Sequence, residues 1–341
     1  VEISTTNLPN GMEMVSYSAT LVATNGTSPY KWEASEIAVW AWGRNIGSQT
    51  NVPSGLSNAV AVAGGLYHSV ALKSDGGVVA WGTNNFGQTN IPVGLSNVVA
   101  VAARNNHSLA LKSDGRVVAW GFGYYGQTNV PAGLTNAVAI SAGMYHSMAL
   151  KSDGRVAVWG NNSTGQTNVP AGLSNVVAVG AGWSHNLAVK SDGTVVAWGD
   201  NQYGQTNVPV GLSNVMAVAG SWYHSLALKS DGTVVPWGTT GSVPDGLSNV
   251  VALAAGTQHN LALRSDGTIV AWGGNEYGQI NVPNGLSNAI ALAAGDYHSI
   301  ALGGLNAPLP GGLQLSTAGV LSGTPVDAGT NLIKCTVRDA T

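Results

Sequence analysis

The sequence predicts an all-β protein that consists of a seven-bladed β-propeller and a small β-sandwich formed from both chain ends. Seven histidines lie 39 residues apart, except for one gap of 35, within nearly identical segments. A period of this length indicates one supersecondary unit repeated seven times. No repeat contains a helix-length stretch with a 3.6-residue apolar period, so a helical solenoid is excluded. The histidines are His68, His107, His146, His185, His224, His259 and His298.

One copy of the repeat gives its elements in order. Residues 98–103 are apolar on both faces, as in a strand buried between neighbours. Residues 107–112 and 116–121 follow as a second and a third strand, joined by a Ser-Asp-Gly turn in which glycine tolerates positive φ. Residues 127–131 are short, polar and closed by proline, which predicts a weak fourth strand at the edge. Four antiparallel strands per repeat are typical of a propeller blade.

The ring is predicted to close with strands from both ends of the repeat region. The last repeat stops after residues 298–302, and its missing third and fourth strands match residues 37–43 and 48–53. We therefore predict a propeller over residues 36–303 whose seventh blade has two N-terminal and two C-terminal strands. Such closure removes free sheet edges.

The terminal segments, residues 1–35 and 304–341, do not match the repeat and contain short strand patterns between Gly, Pro and Asn turns. Together they are about the size of one small sandwich, whereas neither is large enough alone. Their motifs resemble the two halves of a bacterial putative immunoglobulin-like domain. The motifs lie at residues 8–11, 17–21, 29–32, 309–313, 319–325 and 336–339. The resemblance implies that the propeller is inserted into this domain, in which the single cysteine, Cys335, is expected to be buried.

The repeat motif G-x-x-H-S-x-A-L-K-x-D-G-x-V-x-x-W-G-x-N-x-x-G-Q resembles the regulator of chromosome condensation repeat, whose members form seven-bladed propellers. The Gly-Gln-Thr-Asn-Val-Pro tail and the repeat length are closer to the bacterial secreted propeller that inhibits class A β-lactamases. The resemblance covers residues 36–303 and implies the fold. It does not transfer a function, because the shared positions build blades and partner contacts lie in variable loops.

The positions that recur in every copy are expected to be structural. The histidines could form a ring of metal ligands, but zinc needs three or four ligands within about 2 Å of one ion, which a sevenfold ring does not provide. We expect each imidazole to bond a neighbouring backbone group instead, and each repeated tryptophan to pack between blades. No Ser-His-Asp order, phosphate loop or carboxylate cluster stands out, so we predict no enzyme activity, no cofactor and no metal. The tryptophans are Trp42, Trp81, Trp120, Trp159, Trp198, Trp237 and Trp272.

The positions that vary between copies are the candidate binding residues. They lie in the loop before each histidine and in the loop after each Trp-Gly, and strand alternation places both loops at the same end of every blade. Both Phe and eight of the ten Tyr residues lie there, and Tyr and Trp dominate interaction hot spots. The predicted binding residues are Tyr67, Phe86, Phe122, Tyr124, Tyr125, Met144, Tyr145, Trp183, Tyr203, Trp222, Tyr223, Tyr277 and Tyr297.

Two further predictions concern the shape of the propeller. The chain enters and leaves it where a seventh Ser-Asp-Gly turn would be, so the immunoglobulin-like domain should lie beneath the face opposite the aromatic loops. The blade that contains Pro236 lacks four residues and the Gly-Gln-Thr-Asn element after Trp237, which predicts a notch at its outer edge.

These observations predict a non-enzymatic module of an extracellular or cell-surface bacterial protein, which presents the aromatic face to a protein or glycan. The formal charge of −3 gives no electrostatic case for a nucleic acid, and no apolar run is long enough for membrane insertion. Two alternatives stay open. Residues 1–35 could self-associate by strand donation in an extracellular filament or surface layer, or the protein could inhibit a secreted enzyme.

Overall fold

The structure is a computed structural model that describes residues 38–56, 58–239 and 242–304 with their side chains, and the backbone of the strands at both chain ends. Over this part of the chain the regular elements are β-strands. No helix long and apolar enough to cross a membrane occurs among the described residues.

Six of the repeats each form a sheet of three consecutive antiparallel strands. The strands that precede the first complete repeat are β1 (Glu2–Ile3), β2 (Tyr17–Thr20), β3 (Ala23–Thr24) and β4 (Tyr30–Gly43). The first three blades contain β5 (Ala59–Gly64), β6 (His68–Lys73) and β7 (Val78–Gly82); β8 (Val98–Arg104), β9 (His107–Lys112) and β10 (Val117–Gly121); and β11 (Ala137–Ala142), β12 (His146–Lys151) and β13 (Val156–Gly160). The next three contain β14 (Val176–Ala181), β15 (His185–Lys190) and β16 (Val195–Gly199); β17 (Val215–Gly220), β18 (His224–Lys229) and β19 (Val234–Gly238); and β20 (Val250–Ala255), β21 (His259–Arg264) and β22 (Ile269–Gly273). The last strands are β23 (Leu286–Ala294), β24 (His298–Leu305), β25 (Leu313–Leu315), β26 (Val320–Gly323) and β27 (Ile333–Asp339).

The sheets form a closed ring. The first strand of each sheet packs against the first strand of the next, from β5 through β8, β11, β14, β17 and β20 to β23, and β23 packs against β5. These strands surround a channel of about 320 Å³ lined mainly by Ala, Gly and Val. The predicted β-propeller is confirmed, and the described residues contain seven such sheets.

The predicted fourth strand is wrong. The segment after each third strand is a series of turns, as shown by the hydrogen bonds from Asn129 N–H to the Gly126 carbonyl (2.9 Å) and from Val130 N–H to the Thr128 carbonyl (3.1 Å). These turns satisfy the backbone locally, and Pro131 has no N–H to donate to a sheet edge. The described blades are therefore three-stranded.

The seventh sheet joins both sides of the repeat region in the order β23-β24-β4. Its register runs from His298 opposite Gly43 to Gly304 opposite Ile37. One N-terminal strand therefore completes two C-terminal strands, which corrects the predicted two-plus-two arrangement, because residues 48–53 form turns like their equivalents in the other blades.

Strands from the two chain ends pair with each other outside the repeats. β4 is continuous beyond the propeller, and its residues Tyr30–Glu36 pair with β27. β2 pairs with β26, and β26 pairs with β25. Cys335, which was expected to be buried in the sandwich, stands opposite Ala34 in the β27–β4 register, and its side chain lies outside the described residues. The immunoglobulin-like fold and its place beneath the propeller stay predictions.

The core lies between consecutive sheets. Leu109 and Leu111 of β9 pack in one cluster with Ala149 of β12 and Trp159 of β13, and the other blades repeat this arrangement. All seven repeated tryptophans are buried, which confirms their predicted packing role. A buried aromatic side chain removes about 150–250 Å² from water, so each contributes several kcal/mol at about 25 cal/mol per Å² as an upper bound.

The shortened segment lies over a different blade from the one predicted to have a notch, and the notch itself stays a prediction. The segment after each third strand lies over the next blade, because Trp237 of β19 donates its Nε1–H to the carbonyl of Gln205, which follows β16 (2.8 Å). The shortened segment after Trp237 therefore belongs over the blade that contains Trp272 instead of the blade that contains Pro236. Residues 240–241 of this segment lie outside the described residues.

Candidate binding face

The histidines form an interblade hydrogen-bond ring. His68 Nε2 lies 2.8 Å from Ser108 Oγ of the next blade, and His298 Nε2 lies 2.9 Å from Ser69 Oγ, which closes the ring. The expectation that each imidazole bonds a backbone group is corrected for Nε2, whose partners are side chains, whereas backbone groups such as that of Asn105 beside His68 still act on some of the rings. In His146 and His224 the partner is the amide of Asn186 or Asn260.

Burial keeps these imidazoles neutral. Desolvation lowers the pKa of His68, His107, His185, His259 and His298 to about 3, and that of His146 to about 4. The pKa of His224 is lowered for the same reason. Each serine in the ring donates to a glutamine carbonyl, as Ser69 does to Gln49 (2.8 Å), so the imidazole Nε2–H donates to the serine oxygen.

The same glutamines connect this framework to the variable loops. Gln88 is fully buried, and its carbonyl accepts from Trp120 Nε1–H at 2.9 Å. Its side-chain Oε1 accepts from the backbone N–H of Phe86 at 2.9 Å. The glutamine therefore fixes the backbone of the aromatic residue two positions earlier. Equivalent bonds hold Tyr125 by Gln127, Tyr203 by Gln205 and Tyr277 by Gln279.

The two kinds of variable loop lie on one face, as predicted. The N–H that follows each Trp-Gly pair donates to the carbonyl of the residue before the histidine. Phe122 N–H donates to Asn106 (2.8 Å), and Arg44 N–H donates to Tyr297 (3.0 Å). We call this surface the aromatic face. Its predicted binding residues fall into three groups.

The first group, the five-ring cluster, combines Phe86, Phe122, Tyr124, Tyr125 and Tyr145. Phe122 is central, with ring centroids 5.0 Å from Phe86, 6.2 Å from Tyr125 and 6.0 Å from Tyr145. Tyr125 and Tyr145 are 4.7 Å apart. Tyr124 is 83% exposed and Phe86 is 49% exposed, so the cluster presents a large apolar surface to solvent.

The second group, the tryptophan stack, combines Trp183, Trp222, Tyr223 and Tyr203. The Trp183 and Trp222 rings stack at 3.8 Å, and Trp222 stacks on Tyr223 at 4.4 Å. Tyr203 meets Tyr223 edge-on at 4.4 Å. Met144, the other predicted residue on this side, is half-buried, and its N–H donates to the Trp183 carbonyl at 3.0 Å.

The third group, the arginine cage, combines Tyr67, Tyr277 and Tyr297 around Arg44. The guanidinium carbon lies 4.6 Å from the Tyr277 ring centroid, 5.2 Å from that of Tyr297 and 5.3 Å from that of Tyr67. Arg44 was not among the predicted residues, because only one copy of the repeat has arginine at this position. Ile46, 72% exposed on the same loop, was also missed, although it aligns with Tyr124.

The two faces of the propeller differ in charge. The Ser-Asp-Gly turns opposite the aromatic face carry pairs such as Lys73–Asp75 (2.8 Å) and Lys190–Asp192 (3.0 Å). Hydrogen bonds from Lys73 and from the Gly77 backbone N–H lower the pKa of Asp75. These solvent-exposed pairs contribute little to stability. On the aromatic face, the acidic side chains of the variable loops that reach solvent are Asp200, which is half-buried, and Glu276, which is exposed.

Five segments of the chain match the model of the regulator of chromosome condensation (RCC1) repeat, at residues 59–88, 98–127, 137–166, 176–205 and 250–279. Two repeats are not matched. One contains His224 and is followed by the deletion, and the other contains His298 and takes its third strand from the N-terminal side. Five repeats of the propeller are therefore of the RCC1 type. No curated protein matches the chain.

Solved structures support the same fold for this RCC1-type propeller. Human WBSCR16 is 18% identical with a TM-score of 0.67, over 79% of this chain and 99% of that one. Yeast RCC1 (Prp20), solved with Kap60 bound, is 21% identical with a TM-score of 0.68, over 80% and 90%. The ectodomain of the Arabidopsis thaliana receptor kinase ACR4 is 21% identical with a TM-score of 0.58, over 74% and 100%.

The axis of the RCC1-type propeller is crossed by one side chain that the sequence analysis did not identify. Arg104 extends from β8 to the Ala255 carbonyl (Nη1, 3.0 Å) and to Asp296 (Nε to Oδ1, 3.1 Å) on the far side of the ring. Burial raises the pKa of Asp296, and the adjacent Arg104 opposes this. The other copies have Gly or Ser in place of Arg104. Arg104 therefore links distant blades where the channel meets the aromatic face.

The described residues of the RCC1-type propeller contain no group of three or more His, Cys, Asp and Glu side chains that could hold a metal ion. The arrangement of the aromatic face is suited to binding, because rigidly held rings present apolar surface with little conformational entropy left to lose.

Proposed function

We propose that this protein is a non-enzymatic binding module of an extracellular bacterial protein, and that a protein partner docks on the aromatic face. The observation that carries the proposal is that the constant and the variable residues of each repeat have different roles. Buried His, Ser, Gln and Trp build the same framework in successive blades, and that framework holds aromatic residues that differ from blade to blade. Exposed aromatic clusters mark interaction sites.

The solved relatives support a protein as the partner. Yeast RCC1 binds Kap60, and Prp20p of Saccharomyces cerevisiae was studied for its binding to Gsp1p and histones. A rigid face with several separate ring clusters suits a macromolecule better than a single small ligand, because hot spots distributed over a wide surface need a partner of matching size.

The test compares proteins retained from extracellular fractions by three immobilised forms of the chain. They are the unmodified protein, an aromatic-face variant (Phe86→Ser, Tyr124→Ser, Tyr203→Ser), and a control variant (Val93→Ser, Val210→Ser) whose changed side chains are fully exposed away from that face. A partner should be retained by the unmodified and control proteins and lost from the aromatic-face variant. Equal retention by all three, with unchanged melting temperatures, would refute the proposal.

The pairing of the chain ends favours a second candidate, self-association by strand donation. β2 and the outer half of β4 pair with strands about 300 residues away in the sequence, and a second copy could supply the same strands. Light scattering across a concentration range separates the candidates. A binding module should have the mass of a monomer throughout, whereas ordered polymers that disappear when residues 1–35 are deleted would support a structural subunit.

A further inference from the structure

We infer that Arg44 is an anchor for a carboxylate of the docking partner, an Asp or Glu side chain of a protein. This inference rests on the proposed function and adds the chemistry of one contact. It is carried by the arginine cage, in which three tyrosines from separate parts of the chain surround one guanidinium.

The cage fixes the guanidinium but leaves it without an anion. Rings within about 6 Å attract the cation by their quadrupoles and limit its motion. No carboxylate among the described residues forms an ion pair with Arg44, and its Nε is buried without a hydrogen-bond partner. Its terminal nitrogens form no hydrogen bond within the described residues and are not among the buried unpartnered atoms, so they face solvent.

The framework does not require arginine here. The equivalent residues of the other copies are Thr83, Phe122, Asn161, Asp200, Thr239 and Gly274. Arg44 is also separated from the other positively charged side chains of the propeller. Apart from the buried Arg104, the other described Lys and Arg side chains of the propeller lie beside the Ser-Asp-Gly turns on the opposite face. A partner that approaches the aromatic face therefore meets one accessible cation at a defined position.

A carboxylate is the group that fits best. The planar guanidinium presents parallel N–H donors that match the two oxygens of a carboxylate. Since the rings already restrict the side chain, little further entropy is lost when the pair forms. The tyrosines also exclude water from one side of the contact, which strengthens the pair relative to one fully exposed to solvent.

The test is a selection of phage-displayed random peptides on the immobilised full chain. We expect peptides that bind through the aromatic face and share one fixed Asp or Glu. Arg44→Gln should lower the affinity of the best peptide by about tenfold or more. Arg44→Lys should lower it by less, because lysine keeps the positive charge but lacks the paired N–H donors of the guanidinium. Arg155→Gln, on the opposite face, is the matched control and should change nothing.

A double-mutant cycle separates a direct contact from a disturbed cage. Replacing the acidic residue of the peptide by its amide should weaken binding to the unmodified protein. The same replacement should not change binding to the Arg44→Gln variant, whose affinity is already reduced. Selected peptides that bind the unmodified protein but not the aromatic-face variant, and that share no Asp or Glu position, would contradict the role of Arg44 and leave the proposed function intact. Peptides that bind the aromatic-face variant as tightly as the unmodified protein would contradict the proposed function itself. Arg44-dependent retention of polygalacturonate, without acidic peptides, would overturn the choice of a protein carboxylate.

Discussion

At the residue scale, one hydrogen-bond unit explains why the same few residues recur. Each histidine bonds the serine or asparagine of the next blade, and in six of the seven cases that residue donates to a glutamine carbonyl that also accepts from a tryptophan. Buried polar groups are costly unless they are paired, so each member of the unit depends on the others.

The deletion after Trp237 removes one glutamine from this pattern, and Asn260 replaces it. With its amide nitrogen toward His224 Nε2 (2.7 Å) and its oxygen toward Trp272 Nε1 (3.3 Å), Asn260 satisfies both rings. Asn186 occupies the equivalent position in another blade, where Gln166 is present and accepts from both Asn186 Nδ2 (2.7 Å) and Trp198 Nε1 (3.1 Å).

We predict that Asn260→Ser lowers the free energy of unfolding by about 1–3 kcal/mol, because Trp272 Nε1–H loses its acceptor in a buried site. The matched change Asn186→Ser should cost under about 1 kcal/mol, since serine performs this role in other blades beside an intact glutamine. Urea unfolding of both variants provides the measurement. Equal losses would show that Asn260 is not the substitute acceptor.

The sequence predicted the residues that act in every copy better than those that act once. Seven copies at one period identified the tryptophans as packing residues and placed the variable loops on one face. Arg104 and Arg44 occur in single copies, and their roles depend on residues far away in sequence, namely Asp296 for Arg104 and three tyrosines for Arg44. Periodicity contains no information about such contacts across the ring.

At the element scale, the blade is a three-stranded sheet with an irregular outer segment. The short Gln-Thr-Asn-Val-Pro pattern suggested a strand because its residues tolerate extended backbone. In the structure, the side chain of Gln127 and the turn hydrogen bonds are used within the segment, and the Gln127 carbonyl accepts from Ser147 of the next blade. Side-chain bonds of this kind compete with sheet pairing, and alternation of residue types alone does not reveal them.

The hairpin turn of each blade also docks on the next blade. Gly115 has φ of 78°, and its carbonyl accepts from Ala137 N–H at 3.0 Å at the start of β11. A Cβ at Gly115 would lie 2.5 Å from the Thr135 carbonyl oxygen. Gly133, with φ of 83°, has open space around an added Cβ.

This pair tests whether the turn is an interblade contact. Gly133→Ala should cost about 1–2 kcal/mol of unfolding free energy from the left-handed backbone alone. Gly115→Ala should cost about 1–3 kcal/mol more, since the neighbouring blade must also move. Chemical denaturation of the two variants in parallel measures the difference. A loss at Gly115 no larger than that at Gly133 would contradict this docking.

At the scale of the whole molecule, the ring closes through seven neutral imidazoles. Each lies between adjacent blades, and their hydrogen bonds run around the complete circle from His68 to His298. In the unfolded chain a histidine titrates near pH 6.5. In the folded chain burial lowers the pKa of six of them to about 3 or 4.

The sign of the pH dependence follows from this difference. At about pH 8 and above neither state binds these protons, so the stability contributed by neutral burial is fully present. As the pH falls below 6.5, the unfolded chain takes up protons that the folded chain does not, and stability decreases. As the pH falls below 6.5, each histidine lowers the free energy of unfolding by up to about 1.4 kcal/mol per pH unit. The contributions of the sites add, because every site binds its proton more tightly in the unfolded chain.

We therefore predict a propeller that is stable at neutral pH and unfolds cooperatively between about pH 6 and pH 4, where the histidine difference is largest. Urea midpoints measured by circular dichroism at pH 7.5, 6.5, 5.5 and 4.5 should already decrease between pH 7.5 and 6.5 and then fall more steeply. His107→Gln should reduce that slope whatever its effect on stability at neutral pH, because one titrating site is lost. A constant midpoint down to pH 4.5 would mean that the folded ring accepts protons, and the neutral-imidazole ring would then be wrong.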